Sequence, residues 1–213
     1  MTAPATTSRL ARIRNQLYNA LVMDDFDQRQ LAETLQGQRI EAYKLAIDKQ
    51  IRLVGCSRSA SDPRGEQLAQ LNSDSQRDAQ SIVNTYNRDL QRALERIIQD
   101  NPQGRRGDIE AAIESYLSQR SSWKDKQIAL NTSKTARFYA EEQFRKKNGI
   151  ANQTYYYFGP PPVSDECKAN MAAGFVDVQY VNENPTPAHI NCPHTWQVVS
   201  TPRVPDCNAI WVG

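Results

Sequence analysis

Residues 68–97 read LAQLNSDSQRDAQSIVNTYNRDLQRALERI, and the spacing of their apolar side chains decides the fold class. Leu68, Leu71, Ala79, Ile82, Tyr86, Leu90, Leu94 and Ile97 recur every three to four residues, apart from a polar gap around Asp74. That period lines one face of an α-helix. Sustained this long it approaches a coiled-coil seam, which predicts packing of helix against helix. Asn101-Pro102-Gln103-Gly104 ends the run.

The same pattern extends outward on both sides. A first helix, capped by Thr7 or Ser8, carries Leu10, Ile13, Leu17 and Leu21. Asp24-Asp25 interrupts it, and a second helix carries Leu31, Leu35, Ile40, Tyr43, Ile47, Ile51 and Val54 until Gly55-Cys56-Ser57. The stretch Ser57–Gly65, with Asp62-Pro63, reads as a loop. Downstream, a fourth helix begins near Gly107-Asp108 with Ile109, Ile113, Tyr116 and Leu117 on one face. It is expected to break at Ser121-Ser122, with a fifth helix from Trp123 to Lys147. Gly149 stands where a C-terminal helix cap belongs, and Arg145-Lys146-Lys147 suits the negative end of the helix dipole.

Beyond Gly149 the chain changes character. It gathers most of the prolines, both histidines, and only two basic residues, Lys168 and Arg203. Thr154–Phe158 is a β-prone aromatic run, and Phe175–Val181, Trp196–Ser200 and Ala209–Val212 read as further strands. The aromatic run could stack on bases, but no basic residues accompany it, so a packed strand is the better reading. The expected fold is mainly α: an elongated helical body over 1–149, followed by a small β/loop-rich module over 150–213 that a metal could pin.

Composition agrees with long helices in an assembly. A hydrophobic fraction of 39% with mean hydropathy −0.70 is low for a globule of 213 residues. Such helices are thinly packed or complete their core against other subunits. Residues 1–150 carry 24 basic and 19 acidic side chains, a balance of +5, whereas 151–213 carry 2 and 5, a balance of −3. The signs interleave along the helices as on a solvated face, so any DNA contact is expected to be weak. No apolar run approaches the ~20 residues that span a bilayer, and the N-terminal stretch lacks a signal-peptide core. These features predict a protein made in a cytosol, where four cysteines favour thiols or metal ligation over disulfides. Cys56 and Cys207 read as ordinary thiols.

The chemistry-bearing residues concentrate in His189-Ile190-Asn191-Cys192-Pro193-His194. His189, Cys192 and His194 can face one site from a tight turn, and Cys167 can close it from a separate loop. Those four donors would make a tetrahedral Cys₂His₂ centre for a structural Zn²⁺, pinning a module with little core of its own. Two other states fit the same residues: a packed turn without metal, and a Cys167–Cys192 disulfide. No enzyme motif accompanies them. The deaminase His-x-Glu with Pro-Cys-x-x-Cys and the protease His-Glu-x-x-His are both missing. A Cys192–histidine nucleophile pair is disfavoured because neighbours two or three residues apart seldom meet in the needed geometry. A non-enzymatic role is expected.

Several pieces together resemble one family. They are Asn131-Thr132-Ser133-Lys134-Thr135-Ala136-Arg137-Phe138-Tyr139 on the last helix, Asp165-Glu166-Cys167, Gly174-Phe175-Val176, and the closing His189–His194 motif. In this order they resemble the C-terminal domain of phage Mu F-like head morphogenesis proteins, also called minor head or minor capsid proteins. The resemblance covers about residues 125–200. It departs from the family pattern at Asn170, where a second cysteine would stand, and at His194, which replaces a cysteine but retains ligand chemistry. It implies a structural virion protein, assembled in the host cytoplasm and acting at the portal vertex in head assembly and DNA packaging or delivery. Its partners would be the portal protein, the major capsid protein, or sister copies joined through the long helices. The other reading is a head-tail neck or connector adaptor, or a DNA-binding virion protein, without metal.

Overall fold

The computed structural model describes residues 3–186, 192–204 and 206–213, with side chains except those of 3–8, 119–127 and 129–130. The fold is mainly α. Four long helices, α1 (Ala3–Leu21), α2 (Asp25–Leu53), α3 (Glu66–Asp100) and α4 (Arg106–Lys147), precede a small C-terminal region. That region holds β1 (Thr154–Phe158), α5 (Asp165–Ala172), α6 (Val178–Glu183) and β2 (Thr195–Ser200). None of the described helices is long and apolar enough to cross a membrane.

The helix boundaries follow local chemistry. Asp24 begins α2 as a reciprocal capping box: its Oδ1 accepts from the amides of Phe26 and Asp27, while Asp27 Oδ2 accepts from the Asp24 amide. The ends of α2 and α4 share one device. Gly55 (φ 87°) and Gly149 (φ 63°) adopt the left-handed conformation. The next amides, of Cys56 and Ile150, donate back to Ile51 O and Arg145 O. This is a Schellman stop, and it turns Cys56 and Ile150 into the core.

Three expectations about helices and strands are corrected. The predicted break at Ser121-Ser122 is absent, and α4 runs through it as one helix. Serine costs a helix little, and no glycine or proline falls between Asp108 and Lys147. The predicted strand over 175–181 is instead a single antiparallel bridge, Val176 to Tyr155, followed by α6. Asp177 caps that helix, its carboxylate accepting from the Tyr180 amide at 2.9 Å. The predicted strand over 209–212 has no strand pairing either.

The chain divides into two compact units, each discontinuous in sequence. The first comprises Met1–Leu35 and Asn72–Lys126. Its core is Ile13 and Leu17 of α1, Leu90 and Leu94 of α3, and Ile109 and Ile113 of α4. Asn87 fastens the α1–α2 turn to α3 by bonding both the amide and the carbonyl of Met23, each at 2.9 Å.

The second unit comprises Gln36–Leu71 and Gln127–Gly213. Its main core joins Tyr43, Ile47 and Ile51 of α2 to Ala136, Ala140 and Phe144 of α4, with Ile150 and Ile210. A neighbouring cluster gathers Tyr155, Tyr157, Val181, Trp196 and Val198, against which Leu53 of α2 and Phe138 of α4 pack. The change of secondary structure at Gly149 is thus no break in packing. Ile150 and Ile210 share a core with α2 and α4, and Leu53 and Phe138 pack on the cluster of Tyr155, Tyr157 and Trp196.

The last residues are strapped to this unit. Asn148 brackets the backbone of Trp211, accepting from its amide at 2.7 Å and donating to its carbonyl at 3.2 Å. Arg58 donates to the carbonyls of Asn208 and Ile210, both at 3.0 Å. Cys207 forms a disulfide with Cys56, Cα–Cα 5.5 Å across 151 residues of chain. This corrects the reading of both as ordinary thiols. The Schellman turn aims Cys56 inward and the strap returns Cys207 to it, a juxtaposition invisible to sequence spacing.

Candidate metal centre

The strand β1 alternates faces, and Tyr155 and Tyr157 point into the second unit while Phe158 is exposed. Its antiparallel partner β2 places Trp196 opposite Tyr157. The Cys192-Pro193-His194 segment enters β2 and therefore passes beside Tyr157. On the other side stands α5, whose start is set by Ser164. The serine hydroxyl accepts from the Cys167 amide at 3.2 Å, and Asp165 and Glu166 occupy the first turn, favourable for the helix dipole. The segment read as a loop in sequence is thus the first turn of a helix, and it aims Cys167 inward.

Three of the four predicted ligands converge. The donor atoms of Cys167, Cys192 and His194 lie within 4.8 Å of one another, and all three side chains are buried. The two sulfurs are 3.5 Å apart, and Cys192 Sγ lies 3.6 Å from His194 Nδ1. Neither cysteine is in a disulfide. A tetrahedral zinc with bonds of about 2.3 Å to sulfur and 2.0 Å to nitrogen needs edges of roughly 3.8 and 3.5 Å. The donor set fits a metal with small adjustment. His189, the fourth predicted ligand, lies outside the described residues.

The histidine is oriented as a ligand should be. Its Nε2 lies 2.7 Å from the carbonyl oxygen of Pro160, so the proton sits on Nε2 and the lone pair of Nδ1 faces Cys192. The imidazole stacks on Tyr157, with centroids 4.9 Å apart and planes inclined by 7°. The ring also lies against Gly159, where a Cβ would overlap His194 Cδ2. Tyr157 also points its hydroxyl between the sulfurs, 3.4 Å from Cys167 and 3.5 Å from Cys192. Burial pushes the phenol well above its ordinary range, followed by the hydrogen bonds to the two cysteines. Tyr157 therefore acts as a neutral hydrogen-bond donor to sulfur. Asn170, the position of the missing family cysteine, is also buried, one turn after Cys167.

The thiols are biased toward the form that binds metal. For Cys167, burial opposes the thiolate, but hydrogen bonds with Ser164, Tyr157 and Cys192 outweigh it and hold the thiol below its ordinary value. For Cys192, burial is likewise outweighed by hydrogen bonds with Tyr157 and His194. From α4, Lys134 reaches the same turn and donates to the carbonyls of Cys192 and His194.

Sequence reasoning let Cys192 and His194 face one site as ligands but disfavoured them as a nucleophile pair, since such neighbours seldom meet in the needed geometry. The turn across Pro193 brings them to 3.6 Å. Both side chains are buried, Cys192 fully and His194 to 1% exposure. The residues that sequence reasoning missed are Tyr157, Gly159, Pro160 and Lys134. Only Tyr157 carried a signal, the alternation of an aromatic strand. No protein-family profile, curated protein or solved structure matches this chain.

Proposed function

We propose that this chain is a structural, non-enzymatic virion protein of the minor head or head-morphogenesis type, acting at the portal vertex in head assembly and DNA packaging or delivery. The observation that carries this reading is the convergence of Cys167, Cys192 and His194 in a buried centre. These are residues of the motifs by which the chain resembles that family. In this reading the metal is a structural Zn²⁺, held by those three donors with His189 as the fourth. When bound, the metal supplies a cross-link between α5 and the entrance of β2, in a region with a small core.

Two further observations support a particle-borne structural role. The hydrophobic fraction of 39% with mean hydropathy −0.70 is low for 213 residues, which suits helices that complete their core against portal, capsid or sister copies. The Cys56–Cys207 disulfide beside two retained thiols suits a protein assembled in host cytoplasm and carried outside the cell. The mildly basic body is compatible with weak DNA contact.

The test is co-expression with the portal protein and, separately, with the major capsid protein of the same phage. The expected result is a complex of defined mass with portal that survives nuclease treatment. Failure to bind either protein, with salt-dependent DNA binding instead, would favour the adaptor or DNA-binding reading.

A further inference from the structure

Lys134 lies on α4 and is only 6% exposed. A buried ammonium is costly unless its protons are bonded. Here Nζ donates to Cys192 O at 2.6 Å and to His194 O at 2.9 Å. Both acceptors belong to residues of the candidate centre, and Pro193 between them has no N–H with which to close the turn. The donors that the turn lacks are supplied from a helix. The same ammonium is near enough to Cys192 and Cys167 to interact with both electrostatically.

We propose that Lys134 is the positioning residue of the metal centre: it holds the Cys192 and His194 carbonyls so that Sγ and Nδ1 face Cys167 before a metal arrives. This rests on the metal-site reading above and adds to it a residue of α4 that is not itself a ligand. The centre is thereby keyed to α4. Metal occupancy and the seating of the Cys192–His194 turn on that helix become one event, because the clamp that orders the turn also orders two of the ligands.

The experiment is a Co²⁺ titration of the full-length protein with the Cys56–Cys207 disulfide intact and Cys167 and Cys192 as free thiols, reading thiolate-to-cobalt charge-transfer absorption, in wild type, Lys134→Met and Lys134→Gln. Far-UV circular dichroism confirms that each variant is folded. Lys134→Met is expected to keep the band position, since the ligands are unchanged, and to bind about 10- to 100-fold more weakly. Lys134→Gln, which retains a donor without the charge, falls between. Wild-type Co²⁺ affinity in folded Lys134→Met would overturn the proposal, even if that variant melts at a lower temperature. Absence of the band in wild type would instead overturn the metal-site reading. In that event the thiol reactivity of the metal-free protein decides whether Lys134 positions the turn. Faster labelling of Cys192 by a disulfide reagent in Lys134→Met supports the clamp, and equal rates overturn it.

Discussion

The sulfurs of Cys167 and Cys192 lie 3.5 Å apart although 25 residues separate them, one in the first turn of α5 and the other before β2. Each removes the other from solvent, and Tyr157 bridges them from β1. Replacing Cys192 with alanine removes a ligand and a buried contact together. The expected outcome is loss of stoichiometric metal and faster proteolysis within 150–200. The first unit should keep its hydrogen-exchange protection. Unchanged proteolysis of that region would show that the centre does not hold it.

The disulfide between Cys56 and Cys207 closes most of the chain into a loop, but the strap it fastens also has Asn148 and Arg58. Reduction should therefore weaken the fold without releasing it. A loss of about 5 kcal/mol is the chain-entropy expectation for a loop of this length, with a sequence separation of 151 between the cysteines. Urea unfolding of Cys207→Ser beside wild type, with and without reductant, checks this. Reductant should lower the wild-type midpoint and leave the variant unmoved.

Glu141 of α4 is 4% exposed in the second unit, and burial raises its carboxyl from 4.5 to about 7, partly opposed by Lys49, Arg137 and Gln50. The folded state therefore binds this proton more tightly than the unfolded chain does. Its contribution to stability is fully present below about pH 4.5 and is lost as pH rises toward about 7. At about 1.4 kcal/mol per unit the whole effect is on the order of 3 kcal/mol. Glu141→Gln mimics the protonated form, so it should flatten stability across the interval from pH 4.5 to about 7. The variant should also be the more stable protein at the alkaline end. A variant less stable than wild type above neutrality would mean that the charge, and not its burial, dominates.

Gly159 leaves room for the His194 ring, which a Cβ would enter. Gly159→Ala is expected to cost about 1–3 kcal/mol through overpacking and to displace His194 from Cys192. Thermal melts and metal affinity should fall together. A drop in melting temperature with unchanged affinity would place the histidine outside the ligand set.

The helices α1, α2 and α3 were legible because their apolar residues repeat at the helical period and their ends carry Asp24, Gly55 or Pro102. The continuity of α4 was not, because a serine pair reads as a stop although serine's helix penalty is mild. The segment 175–181 alternates like a strand, yet the Asp177 cap turns it into a helix as soon as Val176 has met β1. In the centre, Cys167, Cys192 and His194 were legible from ligand type and spacing. Lys134 was not, because a lysine on a polar helix looks solvated until the chain folds over it. Cys56 and Cys207 likewise meet only through the returning strap.

The most direct test of the metal centre is the mass of the intact protein under native conditions, compared with the same sample after acid denaturation. The proposed structural zinc site predicts one zinc per chain, lost on denaturation, with Cys167 and Cys192 unreactive until the metal leaves. A metal-free native mass from zinc-replete cells, with both thiols still protected, would contradict it and leave the turn as packing alone.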